Sequence, residues 1–289
     1  MRVKKAILPV AGFGTRLLPA SKSIPKEMIT VVDRPAIDYV VQEAIEAGID
    51  TIVLVNHPAK QAIENYFDRN AELENLLEKK KKNKILDEIR AIVPDYVTVV
   101  AVRQPEPLGL GHAVLCAEKV IGNEPFAVLL PDVLVDSADQ NNLAQMIAQF
   151  EQNQASQIMV EDVAPERVDQ YGIVKLEKQG EKNTTNILGL VEKPSVGDAP
   201  STLAVVGRYV FTPEIFKYLK ETQADKSGEI QLTDAMSKLL DVQNIQAFTL
   251  HGQTYDCGSK IGYLKAILHY ATQRDELKDE LLEFIKTLN

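Results

Sequence analysis

Ala6-Ile7-Leu8-Pro9-Val10-Ala11-Gly12-Phe13-Gly14-Thr15-Arg16 is an apolar run that breaks into a glycine-containing loop carrying a cation. Thr51 to Val55, Val97 to Val102 and Phe126 to Leu130 are further short apolar runs, and runs of this kind read as buried parallel strands. Helical patterns lie between them. Ile37, Val40, Val41, Ala44 and Ile45 repeat at helical spacing before Gly48, and Leu110 to Val120 can form another helix. Strands that alternate with helices predict an α/β fold with a central, mostly parallel sheet. Ligands of such sheets bind beyond the carboxyl ends of the strands, where the loops after Val10, Val102 and Leu130 should gather.

Asp68 to Val93 carries Lys79 to Lys82 in a row, yet Leu73, Leu76, Leu77, Leu86, Ile89, Ile92 and Val93 keep helical spacing, so one long amphipathic helical excursion with a solvated basic face is expected. After Ser156 come shorter strands, Ile158 to Val163, Gly172 to Leu176, Ile187 to Glu192 and Leu203 to Phe211, which suggest a mixed sheet region. Helices from Pro213 and Ile230, a strand near Ile245 to Leu250 and helices from Ile261 onward close the chain. With no repeat and no linker rich in Gly, Pro or Ser, residues 1–289 read as one unit. The composition, 45% hydrophobic and 25% charged, is that of a packed protein. A net charge of -9 disfavours a nucleic acid or an acidic membrane as the main partner. Cys116 and Cys257 have no CxxC spacing and read as free thiols of a reducing compartment. Pro9 interrupts the first apolar stretch too early for a signal peptide core, and no run approaches the roughly 20 residues of a membrane span, so a cytoplasmic protein is expected.

A glycine-rich turn after a strand lets backbone N–H groups approach a phosphate. In Gly12-x-Gly14-x-x-Leu17 the third glycine of the dinucleotide fingerprint is missing, and Arg16 stands where it can clamp a triphosphate or simply face water. Lys22 and Lys26 of Pro25-Lys26-Glu27-Met28 share this loop. Cations about 4 Å apart at an effective dielectric near 20 repel by around 4 kcal/mol per pair, so either a polyphosphate lies among them or all three point into solvent. Asp132 follows an apolar strand and Pro131, placed either to bind a hard cation or to cap a following helix. Glu192-Lys193 puts opposite charges on neighbours that would face opposite sides of a strand, or sit in an ion-rich surface turn.

Gly12-x-Gly14-Thr15-Arg16-x-x-Pro19 with Pro25-Lys26-Glu27-Met28 resembles the N-terminal motif of the sugar nucleotidylyltransferases, and the Pro-Lys-Glu-Met form resembles the bacterial UTP:glucose-1-phosphate uridylyltransferases. Gln104, Leu108-Gly109-Leu110-Gly111-His112-Ala113, Leu130-Pro131-Asp132, Tyr171-Gly172-Ile173-Val174, Val191-Glu192-Lys193-Pro194, Gly207-Arg208-Tyr209-Val210, Gly228 to Ala235 and Tyr255-Asp256-Cys257-Gly258 follow in the family's order over nearly the whole chain. The resemblance implies a Rossmann-like, mostly parallel mixed sheet flanked by helices, of the nucleotide-diphospho-sugar transferase type. Its nucleotide-binding part would span about 1–155, a sugar-binding part about 156–260 and C-terminal helices about 261–289. It assigns Asp132 to Mg²⁺, with Asp256 either a second metal ligand or a turn residue. Ala11, Gly12, Gln104 and Gly109 would meet the uracil, and Gly14, Thr15 and Glu27 belong to the substrate loop. Glu192 would meet the sugar hydroxyls and Lys193 the phosphate, with Gly172 and Gly207 against the sugar ring. His112 reads as a helix residue beside the nucleotide loop and Asp234 as structural.

Two anions must be brought together when a sugar 1-phosphate attacks the α-phosphorus of a triphosphate, so catalysis would rest on positioning and on charge from Mg²⁺, Arg16, Lys26 and Lys193. Two other readings stand beside a uridylyltransferase acting on UTP and glucose 1-phosphate: a non-catalytic regulatory relative, and the same reaction with dTTP or another hexose. A homo-oligomer, dimer or tetramer, is expected, with the helical excursion or the C-terminal helices as its interface.

Overall fold

Strand β1 (Lys5–Pro9) leads through the glycine loop to a two-stranded turn, β2 (Thr30–Val31) and β3 (Arg34–Pro35), and then to helix α1 (Ala36–Glu46). The computed structural model describes residues 1–137, 140–177 and 184–288. Gly48, at φ 89°, takes the left-handed position that ends α1, and β4 (Thr51–Asn56) follows. Next come α2 (Gln61–Phe67), α3 (Ala71–Lys79), α4 (Asn83–Arg90), β5 (Thr98–Arg103), α5 (Gly109–Cys116), α6 (Glu118–Ile121) and β6 (Phe126–Leu129). β5, β4, β1 and β6 lie side by side in that order, all parallel. Alternate residues of β1 enter opposite cores: Ala6 and Leu8 pack with α1, while Ile7 packs with α5.

Two expected helices are broken. The excursion forms two helices because Lys81, at φ 54°, turns the chain left-handed within the lysine run. The turn lets Arg90 of α4 reach Glu74 of α3 at 2.9 Å, and Arg69 grips the same carboxylate. The 110–120 pattern likewise divides at the buried Ala117 between α5 and α6.

The remaining elements are β7 (Val133–Asp136), α7 (Asn142–Asn153), β8 (Ser156–Asp162), β9 (Gly172–Leu176), β10 (Thr184–Glu192), β11 (Leu203–Phe211), α8 (Ile215–Glu221), α9 (Leu232–Leu240), β12 (Ile245–Thr249), β13 (Gln253–Asp256), α10 (Lys260–Thr272) and α11 (Asp275–Lys286). Among the described residues one nine-stranded sheet runs β5-β4-β1-β6-β11-β8-β12-β10-β9. Only its first half is parallel throughout. β11 enters antiparallel between β6 and β8, β9 and β10 pair antiparallel, and β8–β12 is the one parallel pair beyond β6. Antiparallel neighbours need no crossover helix, which is why the helix-strand alternation of the first half is absent from 156 onward. A separate antiparallel ribbon pairs β13 with β7 and sets Asp256 opposite Val133, which brings the C-terminal part of the chain back to the end of β6.

Candidate active site

Asp132 lies between the end of β6 and β7, and the strand that follows it removes the helix-capping alternative. Its carboxylate accepts from Lys26 Nζ at 2.6 Å and lies 3.7 Å from Arg16. Burial alone would raise the Asp132 pKa, but the charge and hydrogen bond of Lys26, with Arg16, hold it below the ordinary carboxylate range. Lys26 is affected in the opposite sense: burial works against its charge, yet Asp132 and Glu27 keep its pKa raised. Asp256 reaches the same spot along the β7–β13 ribbon, accepting from Arg16 at 3.2 Å and from the backbone N–H of Gly258 at 2.9 Å. A Cβ at Gly258 would lie 2.9 Å from both carboxylates, so only glycine leaves the gap between them open. The cations of the loop are therefore neutralised by carboxylates within the fold itself, while Lys22 stays exposed.

Two oxygen ligands facing one gap suit a hard cation that keeps waters and binds substrate phosphates, and the pair Asp132 and Asp256 fits Mg²⁺ on that ground. Among the described residues no cluster of three His, Cys, Asp or Glu side chains forms an all-protein metal cage.

Beside this centre runs the glycine loop. Gly14, at φ 65°, turns the chain into a short helical turn over Thr15–Leu17, and a Cβ there would press against Lys26 at 3.0 Å. Gly12 and Thr15 are exposed and Ala11 is nearly buried. Glu27 lies beneath the loop. It has no exposed surface, and its carboxylate is taken up by Lys60 Nζ at 2.9 and 3.0 Å, while Lys60 also donates to Val10 O at 2.7 Å. Burial pushes Glu27 up and Lys60 down in pKa, and the buried pair anchors the loop from beneath. Lys60 escaped sequence reasoning, because a lone lysine after β4 carries no signal. Gln104 is buried at the end of β5 and donates to Gly109 O at 3.1 Å, with His112 of α5 also 3.1 Å away. Gly109 takes φ 87°, where a Cβ would come within 2.8 Å of Glu229.

The opposite wall is built by β9, β10, β11 and α9. Glu192 and Lys193 do not point apart: Lys193, at φ 42°, leaves the strand geometry, and its ammonium lies 3.5 Å from Glu192 on the same side. Thr233 donates to Glu192 at 2.7 Å and Gly172 lies beneath that carboxylate, where a Cβ would be 3.2 Å away. Gly207, at φ 74°, backs onto Leu130. Arg16, Asp132, Asp256, Gly172, Glu192, Lys193, Gly207 and Thr233 all line one cleft of about 250 Å³. Thr233 lies within the Gly228 to Ala235 motif, but the sequence reading gave it no part in the site; its bond to Glu192 shows its place. Glu161 and Thr254, hydrogen-bonded at 2.8 Å in the cleft wall, come from strands far apart in sequence and left no pattern. A larger hollow of about 550 Å³ lies against α1, β7 and Tyr270 and contains none of the expected site residues.

The nucleotidyl transferase family model matches residues 5–273. The UTP–glucose-1-phosphate uridylyltransferase of Haemophilus influenzae is 52% identical over 98% of both chains. That of Escherichia coli K12 is 47% identical over 99% of this chain and 96% of its own. A UTP-bound UGPase from Acinetobacter baumannii superposes with a TM-score of 0.93 at 57% identity, covering 99% of this chain and 100% of that one. Matches of this extent establish that the chain belongs to the nucleotidyl transferase family, among the bacterial UTP–glucose-1-phosphate uridylyltransferases.

Proposed function

We propose that this chain transfers the uridylyl group of UTP to glucose 1-phosphate, forming UDP-glucose and releasing pyrophosphate, with Mg²⁺ held by Asp132 and Asp256. The observation that carries this reading is the single cleft in which the Arg16–Asp132–Asp256 centre faces Glu192, Lys193 and Thr233. Mg²⁺, when bound, offsets charge on the triphosphate and the departing pyrophosphate.

The glycine loop from Ala11 to Thr15 offers backbone to the nucleotide, and Gln104 with the Gly109 backbone holds the base. Arg16 donates to the β- and γ-phosphates. Arriving phosphates release Arg16 and Lys26 from the carboxylates that hold them in the free protein. Glu192, oriented by Thr233, accepts from sugar hydroxyls, while Gly172 and Gly207 let the ring lie against backbone. Lys193 draws the phosphate of glucose 1-phosphate toward the α-phosphorus, and attack in line expels pyrophosphate. The attacking oxygen is already ionised, so no general base and no covalent nucleophile is needed.

The setting we propose is a cytoplasmic homo-oligomer. Free Cys116 and Cys257 suit a reducing compartment, and no helix among the described residues is long and apolar enough to cross a membrane. UTP labelled at the α-phosphorus, incubated with glucose 1-phosphate and Mg²⁺, should pass its label to UDP-glucose while unlabelled pyrophosphate is released. Folded protein that releases no pyrophosphate from any nucleotide and sugar phosphate would support the non-catalytic reading instead.

A further inference from the structure

Arg208 of the Gly207-Arg208-Tyr209-Val210 motif has no part in the reaction, and it is the largest fully buried side chain among the described residues. A guanidinium without exposed surface needs acceptors for its five N–H groups and a countercharge. Arg208 has both. Its Nε donates to Glu43 Oε1 at 2.9 Å, and Nη2 donates to Glu43 Oε2 at 2.7 Å and to Val133 O at 2.7 Å. Nη1 donates to Leu130 O and Gly207 O, both at 3.2 Å. Leu130 and Val133 are the residues that bracket Pro131-Asp132, so one rigid planar group grips the backbone on each side of the Asp132 carboxylate.

Few other bonds hold this turn: the Cys257 N–H donates to Asp132 O at 2.7 Å and the Val133 N–H to Leu130 O at 3.4 Å. β11 pairs with β6 up to Arg208 opposite Leu129, and its register to β8 shifts between Val205 and Tyr209, where Gly207 takes its positive φ. Past Leu129 the sheet ladder ends, and Leu130 is tied to Gly207 by one backbone bond of 2.9 Å. Glu43, on α1, fixes the far edge of the guanidinium and has 13% of its side chain exposed, on the side of the larger hollow. Lysine would keep the charge at 208 but lose the fork that spans three carbonyls and a carboxylate.

We infer that Arg208, clamped by Glu43, is a positioning residue that fixes the Leu130–Val133 turn and thereby aims the Asp132 carboxylate into the cleft. The inference rests on the reaction assigned above for its catalytic consequence, and on geometry alone for the turn. Outer residues that hold a ligating group commonly affect metal affinity or activity by about 10- to 100-fold without touching metal or substrate.

The test uses Glu43→Gln, Glu43→Asp and Arg208→Lys in the full chain. Amide exchange over 130–134 should quicken by about tenfold in Glu43→Gln while the rest of the sheet keeps its protection. Mn²⁺ binding in the presence of UTP, followed by electron spin resonance, should weaken by about tenfold, and kcat should fall similarly with KM for UTP within about twofold of wild type. Glu43→Asp, which keeps the countercharge, should recover part of each loss. Wild-type exchange and Mn²⁺ affinity in folded Glu43→Gln would overturn the inference. So would a uniform loss of protection across the whole chain, the mark of a purely structural ion pair. If Arg208→Lys does not fold, the two Glu43 variants decide. A wild-type protein that releases no pyrophosphate would refute the assigned reaction, and amide exchange would still decide whether Arg208 holds the turn.

Discussion

Arg16 joins the carboxylates of Asp132 and Asp256, and it does so with 62% of its side chain exposed. That exposure makes it available to exchange carboxylate partners for phosphates, whereas Lys26, with 19% of its side chain exposed, is held more tightly against Asp132. Lys193 faces the cleft from the other wall. Its replacement by alanine should cost at least about 2 kcal/mol of transition-state stabilisation, somewhat under the roughly 2.7 to 4 kcal/mol that one preorganised group in a dry site contributes. The check is kcat/KM at saturating Mg²⁺ together with the circular dichroism spectrum, which should not change. A near-normal rate would make Lys193 a solvated surface lysine. For the metal, Asp256→Asn and Asp132→Asn should both raise the Mg²⁺ concentration needed for half-maximal pyrophosphate release. An unchanged titration for Asp256→Asn beside a clear shift for Asp132→Asn would leave Asp256 as a turn residue that accepts from Gly258 and Arg16 without holding metal.

At the level of elements, the first half of the sheet was legible because β1, β4 and β6 are buried on both faces and so read as unbroken apolar runs, while β5, only partly buried at the sheet edge, still carries the apolar Val99 to Val102. The β7–β13 ribbon was not. It is a pair of four-residue strands with ordinary composition, and the contact between them is set by where the chain returns, not by local pattern. The same reason hid the Glu27–Lys60 anchor and the shared side of Glu192 and Lys193, since a single left-handed residue at 193 reverses what strand alternation predicts. The lysine run was misread because helical spacing continues across it while the backbone turns. In the resulting α3–α4 hairpin, Arg69 and Arg90 hold the Glu74 carboxyl down to about 2. Its folded pKa lies below the unfolded value near 4.5, so this clamp stabilises fully above that pH and is lost as pH falls toward about 2. Amide exchange of 71–90 should therefore accelerate selectively on acidification, and Glu74→Gln should show the faster exchange already at neutral pH. Equal exchange in variant and wild type at neutral pH would deny the clamp any role.

At the scale of the whole molecule, the nine-stranded sheet and the separate β7–β13 ribbon together supply the walls of the cleft: the ends of β1 and β6 and the ribbon bring Arg16, Asp132 and Asp256, and β9, β10 and β11 bring Gly172, Glu192 and Gly207. Helix α11 lies outside this plan. None of its residues is buried, and Leu277, Leu282 and Phe284 are exposed, which supports its use as a subunit contact. Phe284→Asp should then shift the sedimenting mass from a dimer or tetramer toward the 32.1 kDa protomer, and an unchanged mass would place the interface elsewhere. The central claim is uridylyl transfer to glucose 1-phosphate, and the most direct measurement is kcat/KM for pyrophosphate release across nucleoside triphosphates and sugar 1-phosphates at fixed Mg²⁺. The account predicts the highest value for UTP with glucose 1-phosphate; a higher value for dTTP, or for another hexose 1-phosphate, would contradict it.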